Sequence, residues 1–123
     1  MDLAGLYHQV ADKLDDDLDA ATLTHAVLIE LAERLTPEEA AELGAELPDE
    51  LGDVLARASG DGELKREEFV EALAARLDVD DDAAESGAVA VLSTLREYLE
   101  PIMSIEQVME SLPPDLAQMM AIS

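Results

Sequence analysis

The chain has 123 residues, of which 49% are hydrophobic and 30% charged, and it contains no cysteine. This length fits one domain, predicted over residues 1–123, that can bury a hydrophobic core without disulfides. Disulfides, thiolate catalysis and cysteine-ligated zinc are excluded. Thirty acidic residues against seven basic ones give a net charge of -23. Because that field repels polyanions, we expect neither nucleic acid nor a membrane surface as a partner.

The acidity has two interpretations. Lys13 and Lys65 are the two lysines of the chain, and few lysines with many Asp and Glu are typical of a halophile or a high-GC genome. In that case the charge serves solvation. Alternatively, it forms an acidic binding face for a cation or a basic partner. The N-terminus has neither a basic segment nor a long apolar stretch, so we expect a cytoplasmic protein.

The first half predicts four helices. Leucine and valine recur at helical spacing over 3–14, and again over about 19–35. Thr36 then starts a third helix, about 37–46, with Glu39 closing a capping box. Pro48 starts the fourth. Ala and Leu are strong helix formers and strand signals are poor, which favours an all-α fold.

The second half predicts four further helices. The first covers 64–77 and a long one follows over 81–99. A capping box of Ser104 and Gln107 starts the next, and Pro113 opens the last. Each half therefore predicts the same order of elements.

An internal repeat connects the two halves. The segment "AVLIELAERL" at 26–35 matches "AVLSTLREYL" at 90–99, with six of ten positions identical. These matches predict repeat 1 over about 3–58, a linker at 59–63 and repeat 2 over about 64–121. We expect a compact all-α bundle of about eight helices, built from two tandem four-helix repeats with pseudo-twofold symmetry.

These repeated helices carry a family resemblance. The paired "AVL..L....L" helices are each followed by a short capped helix and an "LP..L" helix start, at 47–51 and 112–116. In this the chain resembles domain-of-unknown-function family 2267 over 3–120. The resemblance implies a small prokaryotic all-helical protein with no assigned activity. It offers no catalytic residues to carry over.

The stretch "SGDGELKREEF" looks like half of a calcium-binding loop. With Gly62 at the sixth position of an EF-hand loop, Asp61, Glu63 and Glu68 fall at ligand positions. Arg57, however, takes the first position and Lys65 the ninth. Two cations in place of oxygen ligands weaken calcium binding. A linker followed by a helix start explains the stretch better.

A second acidic loop also begins like an EF-hand and then departs from it. Ala83 stands where the glycine is needed, and Val89 where the bidentate glutamate is needed. Capping of the long helix explains the aspartates of this loop, Asp80 to Asp82, better. Weak Ca²⁺ or Mg²⁺ binding stays open as an alternative. The candidate ligands are Asp61, Glu63, Glu68, Asp78, Asp80 and Asp82.

The two histidines indicate no catalytic or zinc site. His8 and His25 lie on different predicted helices without a supporting ligand set, so we interpret them as surface or boundary residues. No nucleophile motif or phosphate-binding loop accompanies them. The pattern thus predicts neither a cofactor nor a catalytic residue.

The C-terminal region is rich in methionine, unlike its counterpart in the first repeat. Methionine fills irregular cores and also lines adaptable binding surfaces. Core packing is one interpretation, and an interaction surface the other. The candidates for that surface are Met103, Met109, Met119, Met120 and Ile122.

These patterns favour a non-enzymatic interaction module, an adaptor or regulatory protein with an apolar face bordered by acid. Its partner would be another protein, a basic one, or a second copy of the chain. The alternative is an acidic protein that responds to Ca²⁺ or Mg²⁺. An enzyme with a site between the repeats is the third hypothesis.

Overall fold

The computed structural model describes residues 3–14, 19–45, 47–101 and 105–121. In these ranges every regular element is an α-helix, which confirms the predicted all-α class. The helices are α1 (Leu3–Asp12), α2 (Ala20–Arg34), α3 (Pro37–Gly44), α4 (Asp49–Leu55), α5 (Arg66–Leu77), α6 (Asp81–Leu99), α7 (Ile105–Ser111) and α8 (Pro114–Ala121). None of these helices is long and apolar enough to cross a lipid bilayer.

Polar residues cap three of the helices, and the caps of α3 and α6 are those that the sequence predicts. Asp19 caps α2 by accepting a hydrogen bond from the Thr22 backbone N–H at 3.0 Å. Thr36 and Glu39 form the predicted capping box of α3. Asp80 caps α6 through the backbone N–H of Ala83, at 2.8 Å. Such caps satisfy amide groups that have no partner inside the helix. The capping box predicted at Ser104 lies outside the described residues.

The long helices α2 and α6 form the centre of the bundle. Helix α2 packs against α1, α4, α5 and α6, while α6 packs against α1, α2, α5 and α8. Gly87 marks the close approach of the two, because a Cβ atom there would lie 2.9 Å from a methyl carbon of Leu23. Among the described residues, the hydrophobic core consists of Ala, Val, Leu and Met side chains and of Phe69, which is fully buried.

The segment predicted as a linker, 59–63, folds back onto the C-terminal end of α2. The backbone N–H groups of Ser59 and Gly60 donate to the carbonyls of Ala32 and Leu35, at 3.0 and 2.9 Å. Gly62, at φ +87°, donates to the Arg34 carbonyl at 2.9 Å. These bonds satisfy carbonyls at the helix end and place α5 beside α2.

Candidate functional site

An apolar groove opens at the surface between α2 and the C-terminal end of α5. Its volume is about 390 Å³, and its exposed lining is almost entirely apolar. The residues that line it are Ala21, Thr22, His25, Ala26, Ile29, Arg76 and Leu77. We call it the α2–α5 groove.

The cation at the edge of the groove, Arg76, is held by two carboxylates. Its Nε donates to Oε1 of Glu30 at 2.9 Å, and its Nη2 lies 3.7 Å from Oε1 of Glu33. Arg34 donates to the other oxygen of Glu30 at 2.7 Å. Glu30 on α2 therefore accepts from two arginines and connects its helix to α5.

Glu30 is buried, with 3% of its surface exposed. Burial works to raise the pKa of this carboxyl, but the hydrogen bonds from Arg76 and Arg34 and their positive charges together outweigh it and lower the pKa. Glu30 is thus ionised at neutral pH. The Arg34 guanidinium also lies 5.8 Å from the centre of the Phe69 ring, which joins the ion-pair network to the core.

His25 forms part of the groove wall and contacts two other helices. The Tyr7 hydroxyl on α1 lies 3.0 Å from Nε2 of His25, and a Glu50 carboxylate oxygen on α4 lies 3.5 Å from the same nitrogen. No local pattern in the sequence predicts this contact, because Tyr7 and Glu50 are distant from His25 along the chain. His8, by contrast, is exposed near Asp12.

Negatively charged side chains lie around the groove. Partial burial raises the pKa of Tyr7, and the nearby charges of Glu50 and Asp19 raise it further. Glu33 and Asp78 add exposed carboxylates beside the groove. The α2–α5 groove is therefore an apolar surface with an acidic rim.

The first set of predicted cation ligands lines a separate depression. Asp61, Glu63 and Glu68 line this shallow polar depression together with Glu33, Arg34 and Lys65. Asp61 also accepts a hydrogen bond from the Glu63 backbone N–H at 3.0 Å. The two cations oppose a bound metal ion here.

The second set lies at helix ends. Asp78 ends α5 in the left-handed conformation at φ 57°, Asp80 caps α6, and Asp82 is exposed in the first turn of α6. Across the ranges that the structure covers, no three His, Asp or Glu side chains are grouped so as to hold a metal ion. The Asp80 carboxylate serves the helix instead.

The predicted methionine surface is wrong for Met119 and Met120. Both are fully buried, so they follow the core-packing interpretation, while Met109 is half-buried against the core. Arg96 on α6 donates to the Met120 carbonyl at 2.8 Å and holds α8 against α6. Met103 and Ile122 lie outside the described residues.

Comparison with known proteins identifies the family. Residues 6–119 match the family described as "Uncharacterized conserved protein (DUF2267)", so the chain belongs to that family and the resemblance seen in the sequence is confirmed. Searches among curated proteins and among solved structures found no match.

Proposed function

We propose that this chain is a cytoplasmic, non-enzymatic protein–protein interaction module with an adaptor or regulatory role, and that the α2–α5 groove is its docking surface. One observation carries this proposal. Ion pairs with Glu30 and Glu33 hold Arg76, and the apolar floor stays accessible beside it. An accessible apolar surface with a polar rim is typical of a protein interaction site.

The polar groups beside the groove favour binding over catalysis. The Thr22 hydroxyl and the Thr22 backbone N–H both donate to the same oxygen of the Asp19 carboxylate, at 2.8 and 3.0 Å, so this carboxylate serves as the cap of α2. His25 contacts Tyr7 and Glu50 through a single ring nitrogen, Nε2. This arrangement supports a role for His25 in shaping the groove wall.

We also propose that the bundle consists of two tandem repeats with pseudo-twofold symmetry. The packing of the helices supports this. Helix α1 contacts both α2 and α6, and α5 likewise contacts both α6 and α2. Helix α4 packs on α2 as α8 packs on α6. Corresponding elements of the proposed repeats thus have corresponding neighbours.

Two ion pairs support the same symmetry. Lys13 contacts Glu97 at 3.1 Å, as Arg76 contacts Glu33. Glu33 and Glu97 occupy the same position of the matching segments 26–35 and 90–99, and each cation directly precedes a matching Leu-Asp pair. Each repeat therefore has its own cation, Lys13 or Arg76, which contacts the long helix of the other repeat.

The two equivalent surfaces differ in one respect that bears on function. On α6, Lys13 also donates to the Ser93 hydroxyl at 3.1 Å, and Ser93 is buried. The residue that aligns with Ser93 is Ile29, which is half-buried in the floor of the α2–α5 groove. An apolar floor on one repeat and a covered serine on the other indicate that the repeats have diverged around a docking surface.

Photo-crosslinking in cells tests the proposal. A photoreactive amino acid is placed at Ile29, and the control position is Ala41, which is exposed in a different groove between α3 and α4. We expect Ile29 to crosslink one defined protein that Ala41 does not. Equal products at the two positions, or none at Ile29, would contradict a docking role for the α2–α5 groove.

A further inference from the structure

Resting on the proposed function, we propose that the α2–α5 groove binds a cationic amphipathic helix of a partner protein. A large aliphatic side chain of that helix enters the groove, and its lysines or arginines contact the acidic rim. Helix-in-groove recognition of this kind uses apolar anchors spaced three or four residues apart. The shape of the groove and the charge around it define this partner.

The floor of the groove selects an aliphatic anchor. Ala26, Ile29 and Leu77 supply apolar contact, and Arg76 is held at one edge by Glu30 and Glu33. The volume of about 390 Å³ lies at the small end of ligand pockets, which span roughly 300–1,000 Å³. A groove of this size suits a short anchor segment.

The rim selects positive charge. Asp19 is joined to the groove residue Thr22 by hydrogen bonds, and Glu50 lies 3.5 Å from His25. Glu33 contacts Arg76, and Asp78 directly follows Leu77 in the chain. Asp19, Glu33, Glu50 and Asp78 are all exposed.

The charges near the groove do not cancel. Arg76 and Arg34 face the buried Glu30, and both also approach Glu33. This leaves Asp19, Glu50 and Asp78 as negative charges around an apolar floor. Partial burial raises the pKa of Tyr7, and the charges of Glu50 and Asp19 at one end of the groove raise it further. A cation placed there gains Coulomb energy while its apolar neighbours lose contact with water.

The same charges disfavour a second copy of this chain as the occupant. Each copy carries a net charge of -23, so two copies repel each other. A cationic helix has the opposite charge and reaches an acidic surface faster because of electrostatic steering. Charge complementarity thus assigns the groove to a basic partner.

Binding of three designed helical peptides, followed by fluorescence anisotropy, tests the assignment. The first has a leucine face and a lysine face, the second replaces lysine with glutamate, and the third replaces leucine with serine. We expect the first to bind, the second not to bind, and the third to bind at least about tenfold more weakly because its anchor is lost. Equal binding of the first and third peptides would overturn the proposal, since diffuse attraction needs no groove.

Variants of the protein locate the binding. Ile29→Ser copies the aligned residue of the other repeat. It should weaken binding of the first peptide about tenfold. Val89→Ser changes a half-buried valine on α6 and is the matched control, expected to leave the affinity unchanged. Circular dichroism checks that both variants are folded. Equal effects of the two substitutions would overturn the proposal.

A charge variant keeps the test valid if either apolar variant fails to fold. The exposed pair Glu50→Gln and Asp78→Asn should weaken binding of the lysine peptide about fivefold, whereas the exposed control pair Glu67→Gln and Glu71→Gln on α5 should not. Equal losses in the two pairs would overturn the proposal. If wild-type protein binds none of the peptides while Ile29 still crosslinks a partner, the cationic helix is refuted and the docking function stands. If the lysine peptide binds in the groove but Ile29 crosslinks no protein in cells, the preference of the groove for a cationic helix stands and the docking function is refuted.

Discussion

At the scale of single residues, Glu30 determines how the groove is built. A buried carboxylate is rare unless it is paired, and both of its partners are arginines. The helical pattern predicts that Glu30 lies on α2, and its spacing from Arg34 predicts that pair. Arg76 is 46 positions away, so the contact that joins α2 to α5 could not be predicted from local spacing.

Replacing Glu30 with Gln should lower the free energy of unfolding by about 2 kcal/mol at neutral pH, because two charge-assisted hydrogen bonds are weakened. The folded state lowers the pKa of Glu30, so the stabilisation is present above the ordinary carboxyl pKa and is lost as the pH falls through the lowered value. The difference between wild type and Glu30→Gln should therefore shrink in acid.

Urea denaturation of both proteins at neutral pH and at a pH of about 3 measures this difference. Glu71→Gln, an exposed change of the same charge on α5, is the control and should have little effect. A difference that stays constant from neutral to acidic pH would show that the Glu30 carboxylate is not stabilised by its arginines.

A substitution at Thr24 is expected to stabilise the protein, in contrast to the substitution at Glu30. It is fully buried on α2, and its hydroxyl has no hydrogen-bond partner among the residues that the structure describes. Thr24→Val removes this unsatisfied group at constant shape, so it should raise the free energy of unfolding by about 1 kcal/mol. Thr94→Val is the matched control, since the buried Thr94 hydroxyl donates to the Ala90 carbonyl at 2.7 Å. Thermal denaturation of the two variants should give shifts in opposite directions, and equal shifts would contradict the assignment.

At the scale of helices, local signals were reliable where donor and acceptor lie close in sequence. Thr36, Asp19 and Asp80 each cap a helix through an amide three residues later. The start of α5 differs, because Lys65 at its N-cap offers no side-chain acceptor. Asp115 on α8 supplies it, accepting from the Arg66 backbone N–H at 2.8 Å. A cap provided by another helix has no short-range signature.

Asp115→Ala should lower the free energy of unfolding by about 1 kcal/mol, since the first amide of α5 loses its acceptor. Asp115→Asn keeps an acceptor oxygen, so it should lower the free energy of unfolding clearly less. Chemical denaturation of the pair measures this contrast. Equal destabilisation by the two substitutions would indicate that the charge of Asp115 matters and the cap does not.

The burial of Met119 and Met120 shows what helical spacing leaves open. Spacing places both on one region of α8, but it does not tell which helix covers them. Arg96 fixes α8 on α6 by a bond from the guanidinium to the Met120 carbonyl, and this brings the methionines into the core. The sequence therefore predicts an apolar helix correctly, but it does not predict that α6 covers this helix.

The acidic loops yield a prediction about cations. Asp80 is engaged as a helix cap, and Arg34 and Lys65 lie beside Asp61, Glu63 and Glu68. We therefore expect Ca²⁺ and Mg²⁺, added at constant ionic strength, to leave the melting temperature unchanged, because a ligand of the native state would raise it. A saturable increase with Ca²⁺ that is absent with Na⁺ would instead support the cation-responsive alternative.

At the scale of the whole molecule, the family and the all-helical fold were predictable because they depend on apolar periodicity and local caps. The groove was not. Its floor combines Ile29 with Leu77, from helices brought together by the Glu30 network and by the segment at 59–63. The aligned positions Ile29 and Ser93 are visible in the sequence, but their different surroundings are apparent only in three dimensions.

Backbone amide chemical shifts, recorded while a cationic amphipathic helical peptide is added to the isotopically labelled protein, test the central claim most directly. A specific groove predicts saturable shifts concentrated at 20–33 and 74–79, with the acidic first turns of α3 and α5 little changed. Shifts of equal size at those first turns, or spread over all exposed carboxylates, would show that the peptide binds the acidity of the protein as a whole and would contradict the docking groove.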